Sequence, residues 1–126
     1  MTKAQKEKRN ESLAADIYNL LRKWDMWIDT TIYYNGKSMS TSYRDEEGKE
    51  HFRYNGEPFI YEDDPREYFE YVAKDHILSM SFEGDLYEIL NYGEHPFVLK
   101  EFDAIFKKYG VYYELGNAWN LTCYEI

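Results

Sequence analysis

"MWIDTTIYYNGKSMSTSYRDEEGKEHFRYNGEPFIYE", residues 26–62, decides the fold class. β-Branched and aromatic residues dominate it, and these fit the pleated, half-buried surface of a strand. Asn35–Gly36 and Asn55–Gly56 interrupt the runs. Asn-Gly tolerates the positive φ of a tight hairpin turn, so each pair predicts a reversal of the chain. "DEEG" at 45–48 marks a third turn. The stretch therefore predicts three or four antiparallel strands, near 27–34, 38–44, 50–54 and 58–61. On the first, Ile28, Thr30, Ile32 and Tyr34 share one face, and Trp27, Asp29, Thr31 and Tyr33 share the other.

Upstream, Leu13, Ile17, Leu20, Leu21 and Trp24 recur at helical spacing and predict an amphipathic helix ending near Trp24–Asp25. Downstream, "DDPREYFEYVAKD" (63–75) carries a helix start: Asp64 as cap, Pro65 in the first turn, Glu67 at capping-box spacing. "HILSMSFEG" predicts a buried strand, and "DLYEILNYG" a short helix closed by Gly93. "PFVLKEFDAIFKKYG" (96–110) predicts a helix with Phe97, Leu99, Phe102, Ile105 and Phe106 on one side. The last sixteen residues predict a hairpin turning at Gly116–Asn117. Strands and helices are grouped rather than alternating. That points to one α+β domain over 1–126, with a mostly antiparallel sheet of about five to seven strands, an N-terminal amphipathic helix and two or three further helices.

The chain holds 14 Tyr, 7 Phe and 3 Trp, and its net charge is −9. Most of these rings are read as core. Tyr also has a polar tip and can face water at a contact surface. The charge is uneven: six bases against four acids in residues 1–25, but eleven acids against four bases in 45–75. An acidic body repels phosphates, so direct binding to DNA is not expected. A single cysteine excludes an intrachain disulfide, and Cys123 alternates with Leu121 and Trp119 as a buried small residue would. No apolar run approaches the roughly 18 residues needed to span a bilayer, and the N-terminus lacks a signal-peptide pattern. A soluble, cytoplasmic protein is expected.

Catalytic signatures are sparse. His51, His76 and His95 stand at no zinc-ligand spacing from one another or from Cys123, and no phosphate-binding or nucleophile-elbow motif occurs. The carboxylate pairs Asp63–Asp64 and Glu83–Asp85 leave open a small metal-dependent or hydrolytic enzyme, with His76 beside Glu83 and Asp85. A general interaction module, monomeric or homodimeric, is another alternative. The leading expectation has no catalytic residue, cofactor or metal. It is a partner-binding ridge of Asp45, Glu46, Glu47, Glu50, Tyr54, Tyr61, Glu62 and Asp63, interleaved with Tyr43 and Phe52. Carboxylates and phenol rings on one ridge can enter a basic groove in place of nucleic acid. Asp63 and Asp64 also have a local reason to exist at a helix N-terminus.

"WIDTTIYYNG" (27–36), "HILSMSFEGDLYEILNYG" (76–93) and "YGVYYELGNAWNLTCYEI" (109–126) together resemble small acidic proteins encoded on phages and conjugative elements of Gram-positive bacteria. Anti-CRISPR proteins that block Cas nucleases are among these. The blocks cover somewhat over a third of the chain. The resemblance carries over no catalytic residue and says nothing about architecture. It implies a protein inhibitor, of a Cas9-type nuclease for instance, acting at a basic nucleic-acid channel.

Overall fold

The computed structural model describes residues 1–62 and 76–126. The helix expected at 63–75, and Asp63 with it, lies outside the described residues.

Helix α1 (Lys3–Lys23) begins earlier than its apolar stripe because Thr2 and Gln5 form a reciprocal cap. The Gln5 N–H donates to Thr2 Oγ1 (3.1 Å), and the Thr2 N–H donates to Gln5 Oε1 (2.8 Å). The charged lead is thereby wound into the helix. Leu13, Ala14, Ile17, Leu20 and Leu21 are buried, while Trp24 caps the end and stays partly exposed. Two strands follow, β1 (Thr30–Tyr34) and β2 (Lys37–Ser40), joined by Asn35 at φ 51° and Gly36 at φ 73°. Both turn residues take the positive φ that a two-residue hairpin demands.

Then come β3 (Ser42–Arg44), β4 (Glu50–Phe52), β5 (Phe59–Glu62) and β6 (Ser79–Phe82). Helices α2 (Asp85–Tyr92) and α3 (Pro96–Lys108) precede the terminal strands β7 (Val111–Asn117) and β8 (Asn120–Glu125). Six strands form one sheet in the order β5-β2-β1-β6-β8-β7, every neighbouring pair antiparallel. The β3–β4 hairpin is separate. The fold is α+β, as the grouped elements predict. Ile32, Tyr34, Met39, Met80, Phe82, Leu121 and Cys123 join the helices' apolar stripes in a single core. Strand alternation turns Thr31, Tyr33, Ser38, Ser40, Ser79 and Thr122 to the sheet's other face.

The structure differs from the sequence reading at five places. The first strand starts at Thr30, because Asp29 has φ 47°; Trp27 precedes it in a loop, yet is fully buried and edge-on to Tyr18 at 5.0 Å. The strand expected at 38–44 breaks at Thr41, whose Oγ1 accepts from the Thr30 N–H (3.1 Å), and β3 then leaves the sheet. Asn55–Gly56 makes no hairpin: β4 pairs with β3 and β5 with β2. The last hairpin turns at Ala118–Trp119, with Gly116 at a β-bulge where a Cβ would meet Asn120 Oδ1 at 2.3 Å. Finally, Val98, Phe102 and Phe106 form the buried stripe of α3, and Phe97, one residue out of that phase, is 78% exposed.

Candidate partner-binding surface

The acidic hairpin is organised by Asp45. Its Oδ1 accepts from the backbone N–H groups of Glu47 (3.0 Å) and Lys49 (2.9 Å), and its Oδ2 lies 2.8 Å from His51 Nε2. The His51 contact, followed by the amides, holds the Asp45 carboxyl below its ordinary value. Gly48, at φ 82°, donates its N–H to the Asp45 carbonyl and closes the turn. Asp45 is thus committed to folding the hairpin, and the tip it builds displays Glu46 and Glu47 to solvent.

Glu50 lies on β4 directly opposite Arg44 on β3, and both are exposed. Among the described residues Glu46, Glu47 and Glu50 make no ion pair. Ion pairs elsewhere neutralise carboxylates: Arg9–Glu125, Lys23–Glu101 and Lys108–Asp16, each at 3.1 Å. Glu46, Glu47 and Glu50 are thus exposed on the hairpin, which also carries the bases Arg44 and Lys49.

Aromatic contacts hold the hairpin to the sheet. The Tyr43 ring stacks on His51 (4.8 Å, 13° between planes) and packs on Phe59 at 4.5 Å. The Arg53 guanidinium sits 4.3 Å from the centre of the same Phe59 ring. Between hairpin and sheet runs a groove of about 940 Å³, lined by Thr31, Tyr33, Ser40, Tyr43, Glu50 and Tyr61 among others. Its hydroxyls and rings give one wall the amphipathic character common at protein contacts.

The expected site residues thus divide. Asp45, Glu46, Glu47 and Glu50 share one hairpin, and Tyr61 and Glu50 both line the groove. Tyr54 lies beyond the hairpin and donates its hydroxyl to Asp29 Oδ1 at 2.6 Å. That bond, which needs the neutral phenol, pushes the Tyr54 pKa up to about 12. Glu62 follows Tyr61 and so points to the opposite face of β5, level with Lys37 on β2. Asp63 lies outside the described residues. As site residues the sequence reading passed over Asp29, Arg44 and Phe59, and it took Asn55 only as a turn residue. Asp and Asn beside aromatic runs gave a signal for two of them, since both residues favour the turns found there.

The enzymatic alternative finds its groups apart. His76 lies before β6, while Glu83 and Asp85 lie beyond its far end. His76 Nδ1 is 3.2 Å from Ser79 Oγ, a spacing suited to a base and a nucleophile. Ser79, however, is fully buried and its hydroxyl is also bonded to Thr122 Oγ1 (3.0 Å), so no substrate can reach it. Burial pushes the Cys123 thiol far up, opposing the reactive thiolate. Among the described residues no group of three or more His, Cys, Asp or Glu could hold a metal ion. Among them, too, no helix is long and apolar enough to cross a membrane.

No protein-family model, no curated protein and no solved structure matches the chain.

Proposed function

We propose that the protein is a non-enzymatic inhibitor, encoded by a phage or mobile element, that occupies the basic nucleic-acid channel of a host defence protein of the Cas9 type. It acts in the bacterial cytoplasm and presents carboxylates where the channel expects phosphates. The observation that supports this reading is the β3–β4 hairpin, which presents Glu46, Glu47 and Glu50 to solvent, with no ion pair among the described residues, beside the exposed rings of Tyr43, Phe52 and Tyr61. The carboxylates would speed encounter with a basic channel across the Debye length of about 8–10 Å. The rings would supply the desolvated anchors that slow dissociation. Asp45 serves this surface indirectly, as the residue that shapes the tip.

The test uses a guide-loaded Cas9-type nuclease and measures binding of the protein, and DNA cleavage, from low to high salt. Wild type should compete with target DNA and lose affinity as salt rises. Charge reversal of Glu46, Glu47 and Glu50 to Lys should weaken binding and flatten the salt slope while thermal unfolding stays unchanged. Undiminished affinity in the triple variant would reduce the hairpin to a solvated face and end the proposal.

A further inference from the structure

A cavity of about 770 Å³ lies between the N-terminal half of α1 and the end of the sheet where β1 turns into β2. That is the size of a small-molecule site, commonly about 300–1,000 Å³. Lys3, Lys6 and Arg9 line it from the helix, and Ile77, Cys123 and Tyr124 give it apolar and aromatic walls. It shares no lining residue with the groove beside the hairpin.

The local charge runs against the rest of the chain. Acids favour a helix N-terminus and bases oppose it, by about 0.3–1 kcal/mol each. Yet the first turn of α1 has no acid, and Lys3, Lys6 and Arg9 follow at spacings that set them on one side of the helix. In a chain with 24 Asp and Glu against 15 Lys and Arg, composition alone does not gather three bases at one cavity. Glu7 and Glu125 also line it, but each has a base beside it: Lys3 at 3.9 Å from Glu7, Arg9 at 3.1 Å from Glu125. Lys6 makes no ion pair among the described residues.

Arg9 holds its charge in a fixed place. Its side chain is only 10% exposed. Nε donates to Asn10 Oδ1 (3.2 Å), and Nη1 to Glu125 Oε1 (3.1 Å) and Met1 Sδ (3.6 Å). Nη2 has no acceptor among the described residues. The guanidinium is close enough to Cys123 to act on it: burial pushes that thiol up, and Arg9 opposes the shift. A nearly buried donor without an acceptor costs free energy that a bound anion would restore.

We propose that this cavity binds a small organic phosphate carrying a flat ring, of the size of a nucleoside monophosphate. Lys6 and the free edge of Arg9 take the phosphate oxygens in charge-assisted hydrogen bonds, and Lys3 adds charge at the rim. The ring lies on Tyr124, which is 41% exposed and stands 5.7 Å from Tyr112. Asn10 and Asn35 shape the wall rather than bind: Asn10 Nδ2 donates to Asn35 Oδ1 (3.2 Å), and Asn35 Nδ2 donates to the Glu7 carbonyl (2.8 Å). The net −9 that repels a long polyanion acts weakly here, because exposed charges more than about 8–10 Å away are screened. The inference does not rest on the hairpin's proposed partner.

NMR titration of the isotope-labelled full chain with AMP and with phenyl phosphate tests it. Both esters should give saturable shifts at Lys6, Arg9, Thr122 and Tyr124, and their affinity should fall as salt rises. Inorganic phosphate and adenosine, each lacking half of the ligand, should bind at least about tenfold more weakly than AMP. Lys6→Gln, at an exposed position, should leave thermal unfolding unchanged and weaken AMP by about tenfold. Arg9→Lys keeps the charge but loses the planar fork, and should weaken AMP as well. Because Arg9 also ties α1 to β8, Lys6→Gln decides the matter if Arg9→Lys fails to fold. The inference is overturned by an absence of saturable shifts with both esters, by shifts centred elsewhere, or by binding that Lys6→Gln does not change. Adenosine or inorganic phosphate binding as tightly as AMP would overturn it too.

Discussion

Asn55 should be worth more to the fold than its exposed surroundings imply. Its N–H donates to the Trp27 carbonyl (2.9 Å), and its Oδ1 accepts from the Trp27 N–H (3.0 Å). It does this at φ 51°, and Trp27 is fully buried. Asn55→Ala removes the acceptor and leaves a buried N–H unpaired, at a cost of about 1–3 kcal/mol. It also forces alanine into the left-handed region, a further cost of about 1–2 kcal/mol. The two terms place the loss near 2–5 kcal/mol, a large part of the roughly 5–15 kcal/mol that holds a domain together. Asn55→Gly accepts the positive φ freely and should lose only the first term, about 1–3 kcal/mol. Asn55→Asp keeps an acceptor and should fall nearest wild type. Equilibrium unfolding in urea measures all three, with an unchanged denaturant slope as the check that the end states are the same. Losses below about 0.5 kcal/mol for both Ala and Gly, the scatter of ordinary surface changes, would refute the clamp. Equal large losses would refute the backbone part of the argument.

Phe97→Ser should stay within about 0.5 kcal/mol of wild type, whereas Phe102→Ala, five residues along the same helix, should cost about 3–5 kcal/mol in the same urea assay. The Tyr54 phenol should titrate near 12 by ultraviolet absorbance, and Asp29→Asn should bring it back towards the ordinary 10.0. Because that pKa is raised, the bond's contribution is complete below pH 10 and is lost as pH climbs through 12. Asp45 behaves in the opposite sense. Its lowered pKa means that its contribution is present above the ordinary carboxyl value of 3.8 and disappears as pH falls through the folded value. The stability gap between wild type and Asp45→Asn should accordingly narrow on acidification, and a gap that is constant from neutral to strongly acidic pH would count against the turn described here.

What could be read from the sequence was what local chemistry dictates. Asn35–Gly36 needs only its own two residues to reverse the chain, and Gly93 closes α2 in the left-handed conformation that a helix end favours. The failures came where a distant group competed for the same residue. Asn55–Gly56 carries the same dipeptide signal, but Trp27 claims the backbone N–H and the Oδ1 of Asn55, and the strands on either side find partners elsewhere. Thr41 has ordinary strand propensity, yet its hydroxyl takes the Thr30 N–H and the chain leaves the sheet. Phe97 satisfied the apolar composition of α3 but not its period, which runs Val98, Phe102, Phe106. The acidic run 45–50 was visible as composition; the division of labour within it was not. Asp45 stands at the start of the turn with a side chain short enough to accept from amides two and four residues ahead, whereas Glu46 and Glu47 lie within the turn itself.

That division bears on how a binding surface can be altered without harming the domain. Among the described residues the β3–β4 hairpin contributes none to the core cluster, and it is held to the sheet there through Tyr43, Arg53 and Phe59 together with the Thr41 contacts. Glu46, Glu47 and Glu50 take part in none of these. Reversing their charges should therefore leave the scaffold unchanged. Asp45 and Tyr43 have no such freedom, because one shapes the tip and the other seats the hairpin. Substituting Asp45 should therefore weaken partner binding in step with disorder of the tip, whereas substituting Glu46 or Glu47 should weaken it with the tip intact. Amide exchange at Glu47 and Lys49, whose N–H groups Asp45 holds, separates the two cases.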